Sequence, residues 1–396
     1  MTSLPGRFLE VHVIQPVPYA NLNRDDTNSV KTVEWGGVER TRVSSQSWKR
    51  AIRLHLQQAI GQEALRTRRL PELIAAALTD EHDWPADLAE KAGRYVSMSS
   101  SVGAEPPNKK KDDDESDGEK AWTTAAMIYV PAAAVAELAR LAIRYRDALE
   151  QAKQPTKFER KHAAAVIPTA EVDAVLRSRN GIINLFGRML AQVDDAHVDG
   201  AVQVAHSFTT HATDTEIDYF SAVDDITADW RDTTGSAHMG NSEHSAGVLY
   251  RYVVLDLEDL HRNLGGALDD TARLSAELVR ATLLSLPQAK KNSTAPNTIP
   301  HLAHVTIRSG RPVSYAAAFE KPVRPERFGG HAAPSVAELD RYAGAVQKLL
   351  GKSGLLYSAY ATLADDESTN LGERVDSFDD LIKGALARAL PDGARA

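Results

Sequence analysis

Cysteine is absent from the 396 residues. Disulfide staples, thiol nucleophiles, iron–sulfur clusters and cysteine zinc sites are therefore excluded, and a reducing compartment fits. Long apolar runs are also missing. The longest, Ala125–Ala136, contains Pro131 and stops at Glu137, well short of the roughly 20 residues that a membrane helix needs. Met1–Arg7 has no basic region leading into an apolar run, so no signal peptide is expected. These absences predict a soluble, cytoplasmic chain with no membrane partner. Common catalytic signatures are missing too. Gly351-Lys352-Ser353 resembles the end of a P-loop, but Val346 stands where the required glycine should be, and no dinucleotide fingerprint, zincin helix or nucleophile elbow occurs.

Apolar residues make up 43% and charged residues 25%, enough to bury a real core. At roughly 150 residues per domain, two to three domains are expected. The net charge of −8 argues against a polyanionic partner for the whole surface. The charge is uneven, however. From Arg24 to Arg69 there are 10 Lys/Arg against 5 Asp/Glu, whereas the rest carries 36 basic and 49 acidic residues. Screening over about 8 Å at physiological salt lets such a stretch bind a polyanion locally.

Period-two alternation over Phe8–Ile14 predicts a strand, with Leu9, Val11 and Val13 on one face and Glu10 and His12 on the other. Pro16–Asp26 reads as a polar segment with turn residues. Gly36-Gly37 predicts a hairpin turn between Thr32–Trp35 and Val38–Val43. Ser44-Ser45 then places hydroxyls to cap a helix over Gln46–Ile60. Trp48, Ile52, Leu56 and Ala59 share one side of it, and Lys49, Arg50, Arg53 and Gln57 lie beside them. The helix can thus dock on a core while presenting cations.

Residues 62–180 are predicted helix-rich. Pro131 is placed as a first helical residue, and Val135, Leu138, Leu141, Ala142, Tyr145 and Leu149 follow at helical spacing. Glu105–Lys120, with 11 charged residues in 16, is expected to be a disordered loop whose lysines and acids neutralise each other. A second β-rich region follows. Ala201–Phe208 and Val248–Leu255 alternate as strands, Leu268–Leu286 is helical, and Leu302–Ile307 is a further strand. This order is compatible with a ferredoxin-like sheet carrying insertions.

His301 and His304 have metal-ligand spacing without a nearby carboxylate. His206 and His211 fall on opposite strand faces and read as structural. The acidic group Asp214, Asp218, Asp224 and Asp225 reads as a solvated face. No catalytic residue, metal or cofactor is therefore expected. The strongest local signal is Leu22-Asn23-Arg24-Asp25-Asp26 followed by Arg42-Val43-Ser44-Ser45-Gln46-Ser47-Trp48-Lys49-Arg50. Basic side chains mixed with hydroxyls and amides at a helix start suit phosphate, because backbone N–H groups, the helix dipole and Lys/Arg can converge on one anion.

The same run, with its Gly-Gly turn, resembles the CasC family, the backbone subunit of the type I-E CRISPR surveillance complex Cascade. Leu185-Phe186-Gly187-Arg188-Met189 is similar to the family's thumb segment. Asp199–His211, Asp218–Asp225, Gly235–Gly240, Gly247–Tyr252 and Ala318–Lys321 also match. The resemblance implies an α+β protein with a ferredoxin-like or RRM-like palm (1–60 and 181–330), a helical fingers insertion (61–180), a thumb hairpin near 185–196 and a C-terminal tail region (331–396). It implies copies stacked head to tail along CRISPR RNA beside other Cascade subunits, presenting the guide for pairing with invading DNA. By that resemblance Arg24, Lys31, Arg42, Ser44, Gln46, Lys49 and Arg50 hold the RNA backbone. Lys49 and Arg50 also follow from charge, and Arg53 from helix geometry alone. Gly187, Arg188 and Met189 would lie over the guide as a wedge. Related backbone subunits elsewhere cut RNA with an acidic loop residue and a metal, so Asp25 and Asp26 leave a metal-dependent endoribonuclease as the alternative.

Overall fold

A computed structural model describes residues 4–107, 121–222, 238–351 and 353–391. They form two compact units, Met1–Leu56 with Val202–Ala396, and Gln57–Ala201. In chain order the strands are β1 (Phe8–Ala20), β2 (Thr32–Trp35), β3 (Val38–Val43), β4 (Ala64–Thr67), β5 (Ala104–Glu105), β6 (Thr123–Thr124), β7 (Ile128–Pro131), β8 (Val202–Val204), β9 (Ser207–Thr209), β10 (Glu216–Ala222), β11 (His238–Asp256), β12 (Leu302–Arg308), β13 (Leu355–Thr362) and β14 (Glu373–Arg374). No helix among the described residues is long and apolar enough to cross a membrane.

The first unit is a mixed α/β structure built on one sheet, ordered β14-β13-β12-β1-β11-β9-β3-β2, with β8 and β10 also paired to β11. Among the described residues only the β13–β14 pair is parallel. Strand β1 lies between β11 and β12, and both of its faces are buried. Leu9, Val11 and Val13 pack on one side as expected. Glu10 and His12 are equally buried on the other. Glu10 is neutralised there by Arg308 at 2.6 Å and accepts from Tyr252 Oη and Thr306 Oγ1. A buried carboxylate must be paired in this way.

Strand β1 also runs further than its turn residues suggest. Pro16 and Val17 still pair with Val248 and Gly247 of β11, whereas pairing to β12 stops at Ile14–Leu302. Beyond Ile14 the strand therefore has a free edge on one side, where proline is tolerated. Three further differences arise from strand neighbours. Val248–Leu255 is the end of a 19-residue strand, β11. The single strand read over Ala201–Phe208 is two, β8 and β9, both paired to β11. The 331–396 region is no tail: it supplies β13, β14 and the helices Ala332–Leu350 and Phe378–Ala389.

The β2–β3 hairpin is as read, with Gly36 and Gly37 at φ +65° and +75°, the signs a tight two-residue hairpin turn requires. Helix α1 (Ser45–Ile60) follows. Ser44 Oγ accepts the Ser47 N–H at 3.2 Å and caps it. Trp48, Ala51, Ile52 and Leu56 are buried, while Ala59 is exposed. Trp48 Nε1 donates to Ser207 Oγ at 2.6 Å, and the buried Arg251 guanidinium lies 4.4 Å from its ring. The helix Leu268–Leu284 buries Leu274, Leu278 and Ala281 as expected.

The second unit is helix-rich, with helices Leu70–His82, Ala86–Ser99, Ala133–Arg144, Arg146–Gln151, Arg160–Val166, Thr169–Leu176 and Gly181–Phe186 around an apolar core. Pro131 does not open a helix. It ends β7, opposite Ala64 of β4. The helical pattern through Leu149 breaks at Tyr145. Glu105 is in β5, paired with Thr123, so the charged segment joins two strands. Residues 108–120 of the expected loop lie outside the described residues. Residues 181–201, read as palm, fall in this helical unit.

Candidate nucleic-acid interface

Asn23 organises the first part of the site. Its Oδ1 accepts the Ser44 N–H at 2.8 Å, and its carbonyl accepts the Lys31 N–H at 3.2 Å. The loop after β1 is thereby tied to the start of α1. Arg24 is exposed and donates to Asn28 Oδ1 at 2.6 Å. Asp25 Oδ1 accepts the N–H groups of Thr27 and Ser29 at 3.0 and 2.8 Å and the Thr27 hydroxyl at 2.8 Å. Those bonds, the Thr27 hydroxyl first, hold its carboxyl below the ordinary carboxylate range. Asp26 is exposed.

One open groove of about 780 Å³ brings together Arg24, Asp25, Asp26, Ser47 and Arg50, with Pro287, Gln288 and Ala289 on its wall. Arg42 lies apart, on the far side of Asn23, with Nη1 3.3 Å from His206 Nδ1. Lys31, Lys49 and Arg53 are half-buried, and Gln46 is exposed.

The anticipated amide nest at the helix start needs correction. The Ser44 N–H goes to Asn23 Oδ1, the Ser45 N–H to His206 Nδ1 at 3.0 Å, and the Ser47 N–H to Ser44 Oγ. Ser44 itself is buried as the cap. These amides already have partners, so the cationic groups lining the groove are the side chains of Arg24 and Arg50, beside the carboxylates of Asp25 and Asp26. Because Nδ1 of His206 accepts, burial and then Arg42 keep its pKa below the usual value.

The basic stretch also sorts itself by structure. Arg40 is fully buried and donates to the carbonyls of Trp35, Thr209, Phe319 and Glu320 at 2.8–3.1 Å. It fastens the Ala318–Lys321 motif to the hairpin. Gly36 is required at that contact, since a β-carbon would lie 1.8 Å from the Glu320 carbonyl oxygen. In the other unit Arg68 and Arg69 pair with Glu105 and Glu72.

In the segment read as a thumb, Gly187 (φ +77°) packs back to back with Gly200, and a β-carbon there would meet the Gly200 nitrogen at 2.7 Å. Arg188 and Val198 exchange both backbone hydrogen bonds at 2.9 Å, closing a loop whose Leu190, Val193 and Ala196 are buried. Arg188 does not lie outward over a ligand. It is 3% exposed and donates to the carbonyls of Ala196, Ser178 and Arg177 at 2.8, 2.8 and 3.0 Å. Burial pushes its pKa down to about 10. Met189, beside it, is 82% exposed.

The histidines are placed by packing. His211 accepts the Val248 N–H at Nε2, 3.1 Å away, and stacks on His331. His304 is fully buried, near Ser358. No group of three metal-ligating side chains occurs among the described residues. Asp214 and Asp218 are exposed; Asp224 and Asp225 lie outside the described residues. Sequence reading missed the Pro287–Ala289 wall. Its only sign was the Lys290-Lys291 pair after a helix.

The family model of CT1975-like proteins matches residues 9–384. No curated protein matches the chain. A chain of a solved structure described as "CRISPR RNA-guided surveillance complex, pre-nicking" is 40% identical, with TM-score 0.86 over 97% of this chain and 100% of that one. A chain of a second, "CRISPR RNA-guided surveillance complex", is 36% identical, with TM-score 0.76 over 96% and 99%. On a family match that spans nearly the whole sequence, this chain belongs to the CT1975-like protein family.

Proposed function

We propose that this chain is a CRISPR RNA-binding backbone subunit of a type I-E Cascade-like complex in antiviral defence, in the cytoplasm. In this reading the sheet unit is an RRM-like palm and the helical unit is the fingers. Copies stack head to tail along the guide beside other subunits and present its bases to invading DNA. The observation that carries the reading is the groove uniting Arg24, Ser47 and Arg50 at the start of α1. Support comes from end-to-end similarity to chains of RNA-guided surveillance complexes. Lys31, Arg42, Gln46, Lys49 and Arg53 would extend the phosphate contacts, with Met189 as the wedge on the guide. Ser44 and Arg188 act by positioning.

The chain would bind and not cut. The hydrogen bonds that Asp25 accepts within its own loop weigh against the endoribonuclease alternative. The test is the nucleic acid that co-purifies with the protein. Guide-length RNA carrying CRISPR repeat sequence is expected. Protein that purifies free of RNA, or with random cellular RNA, would overturn the reading. Mg²⁺-dependent RNA cleavage abolished by Asp26→Ala would replace it with the alternative.

A further inference from the structure

The groove at the start of α1 is lined by cations and anions in equal number: Arg24 and Arg50, with Asp25 and Asp26 beside them. An ionised carboxylate only accepts hydrogen bonds and repels a phosphate, so its presence in the lining is unfavourable unless the ligand brings a donor to it. Asp25 already has its donors. Its Oδ1 accepts the Thr27 and Ser29 N–H groups and the Thr27 hydroxyl. The Asp25 N–H donates to the Ser29 carbonyl at 3.0 Å, and Arg24 and Val30 pair across the base of the loop. Asn28, at φ 72°, completes the turn, and its Oδ1 accepts from Arg24. This turn is built by its own side chains and holds Asp26 in the groove lining. Asp26 is exposed, and its carboxylate has no partner among the described residues.

A ligand suited to this lining carries an anion for the guanidinium groups and a donor for Asp26. A divalent cation is opposed by two guanidinium groups in the same groove, and no third metal-ligating side chain joins the two aspartates among the described residues. A phosphodiester alone brings no donor. A nucleotide unit brings both groups only when its sugar is ribose, whose 2′-hydroxyl donates where deoxyribose carries none. Leu54, 39% exposed, and Pro287 add apolar lining suited to the sugar carbons.

We infer that the Asp26 carboxylate accepts a ribose 2′-hydroxyl in this groove while a guanidinium beside it holds the adjoining phosphate, so that Asp26 makes this face prefer RNA to single-stranded DNA. The inference rests on the RNA-binding reading above. The test compares the full chain with Asp26→Ala and Arg50→Ala. The probes are one labelled unstructured sequence made as single-stranded RNA, as single-stranded DNA and as 2′-O-methyl RNA, which lacks the donor. Asp26 is exposed, so Tm should stay within about 2 °C of the parent. Asp26→Ala should bind RNA about tenfold more weakly, the loss of a hydrogen bond to a charged group. Its affinity for DNA and 2′-O-methyl RNA should be unchanged or up to about threefold tighter, since a repelling charge is gone. A merely structural role would weaken all three probes alike. The same RNA-to-DNA ratio in the parent and Asp26→Ala, with Arg50→Ala weakened towards both, would overturn the Asp26 assignment and leave the groove standing. Equal parent affinity for RNA and 2′-O-methyl RNA would also overturn it, as would RNA binding that EDTA abolishes, which would assign the carboxylates to a metal. If Arg50→Ala binds RNA as the parent does, the groove reading itself falls.

Discussion

Arg188 and Met189 are adjacent in the loop that follows the Gly181–Phe186 helix and have opposite fates. The Arg188 guanidinium is enclosed by three carbonyls within 3.0 Å from two chain segments, whereas Met189 projects into solvent. Arg188→Met would leave those carbonyls without donors at roughly 1–3 kcal/mol each. A loss of about 3 kcal/mol in a urea titration is expected, and an unchanged midpoint would contradict this role. Met189→Ala should move stability by less than about 0.5 kcal/mol. On the proposed guide-binding reading it should instead slow DNA pairing by the assembled complex, where a mismatch scan should find tolerant positions at regular intervals. Burial of Arg40, Arg188, Arg251 and Arg308 was not visible in the sequence. Each sits among ordinary mixed residues, and the fold brings it partners from distant segments: the Phe319 and Glu320 carbonyls for Arg40, the Tyr129 carbonyl for Arg188, Thr282 and Gln15 for Arg251, and the Glu10 carboxylate for Arg308.

Elements specified by local rules were the readable ones. The Gly36-Gly37 hairpin and the Ser44-capped helix depend on residues within a few positions of each other. The far half of β1, the long β11 and the break between β8 and β9 depend on which strand lies alongside, and local pattern does not carry that. Two substitutions probe these elements. Gly36→Ala would force the Glu320 carbonyl away from a β-carbon at 1.8 Å. It should cost more than about 3 kcal/mol, through strain at positive φ and loss of the Arg40 clamp. Ser44→Ala should cost about 1 kcal/mol as a lost helix cap. Denaturant midpoints measure both. A neutral Gly36→Ala would show that the hairpin does not need the close approach.

At the scale of the whole molecule, acid stability follows from buried neutral histidines. Burial depresses His12 and takes His211 to about 4 and His304 to about 3. The unfolded chain takes up protons near pH 6.5, which the folded chain refuses. Their contribution is therefore present above pH 6.5 and lost progressively as pH falls towards 4 and 3. Each histidine removes up to about 2 kcal/mol between pH 6.5 and 5. Unfolding titrations at pH 7 and pH 5 check this, and equal midpoints would contradict it.

The charge map narrows in the same whole-molecule view. Of the cations between Arg24 and Arg69, Arg40 is a buried clamp, and Arg68 and Arg69 are in ion pairs. Arg66, on β4, lies over the Tyr129 ring, and the other six lie on or before α1, the stretch that sequence reading singled out. That reading missed the opposite wall, which comes from residues about 240 positions away. The most direct measurement is the salt dependence of single-stranded RNA binding by the parent chain and Lys49→Ala. The account expects affinity to fall log-linearly with salt, and Lys49→Ala to weaken all sequences alike with a slope shallower by about 0.7 per bound subunit. An unchanged slope, or a loss confined to particular sequences, would contradict phosphate binding by this face.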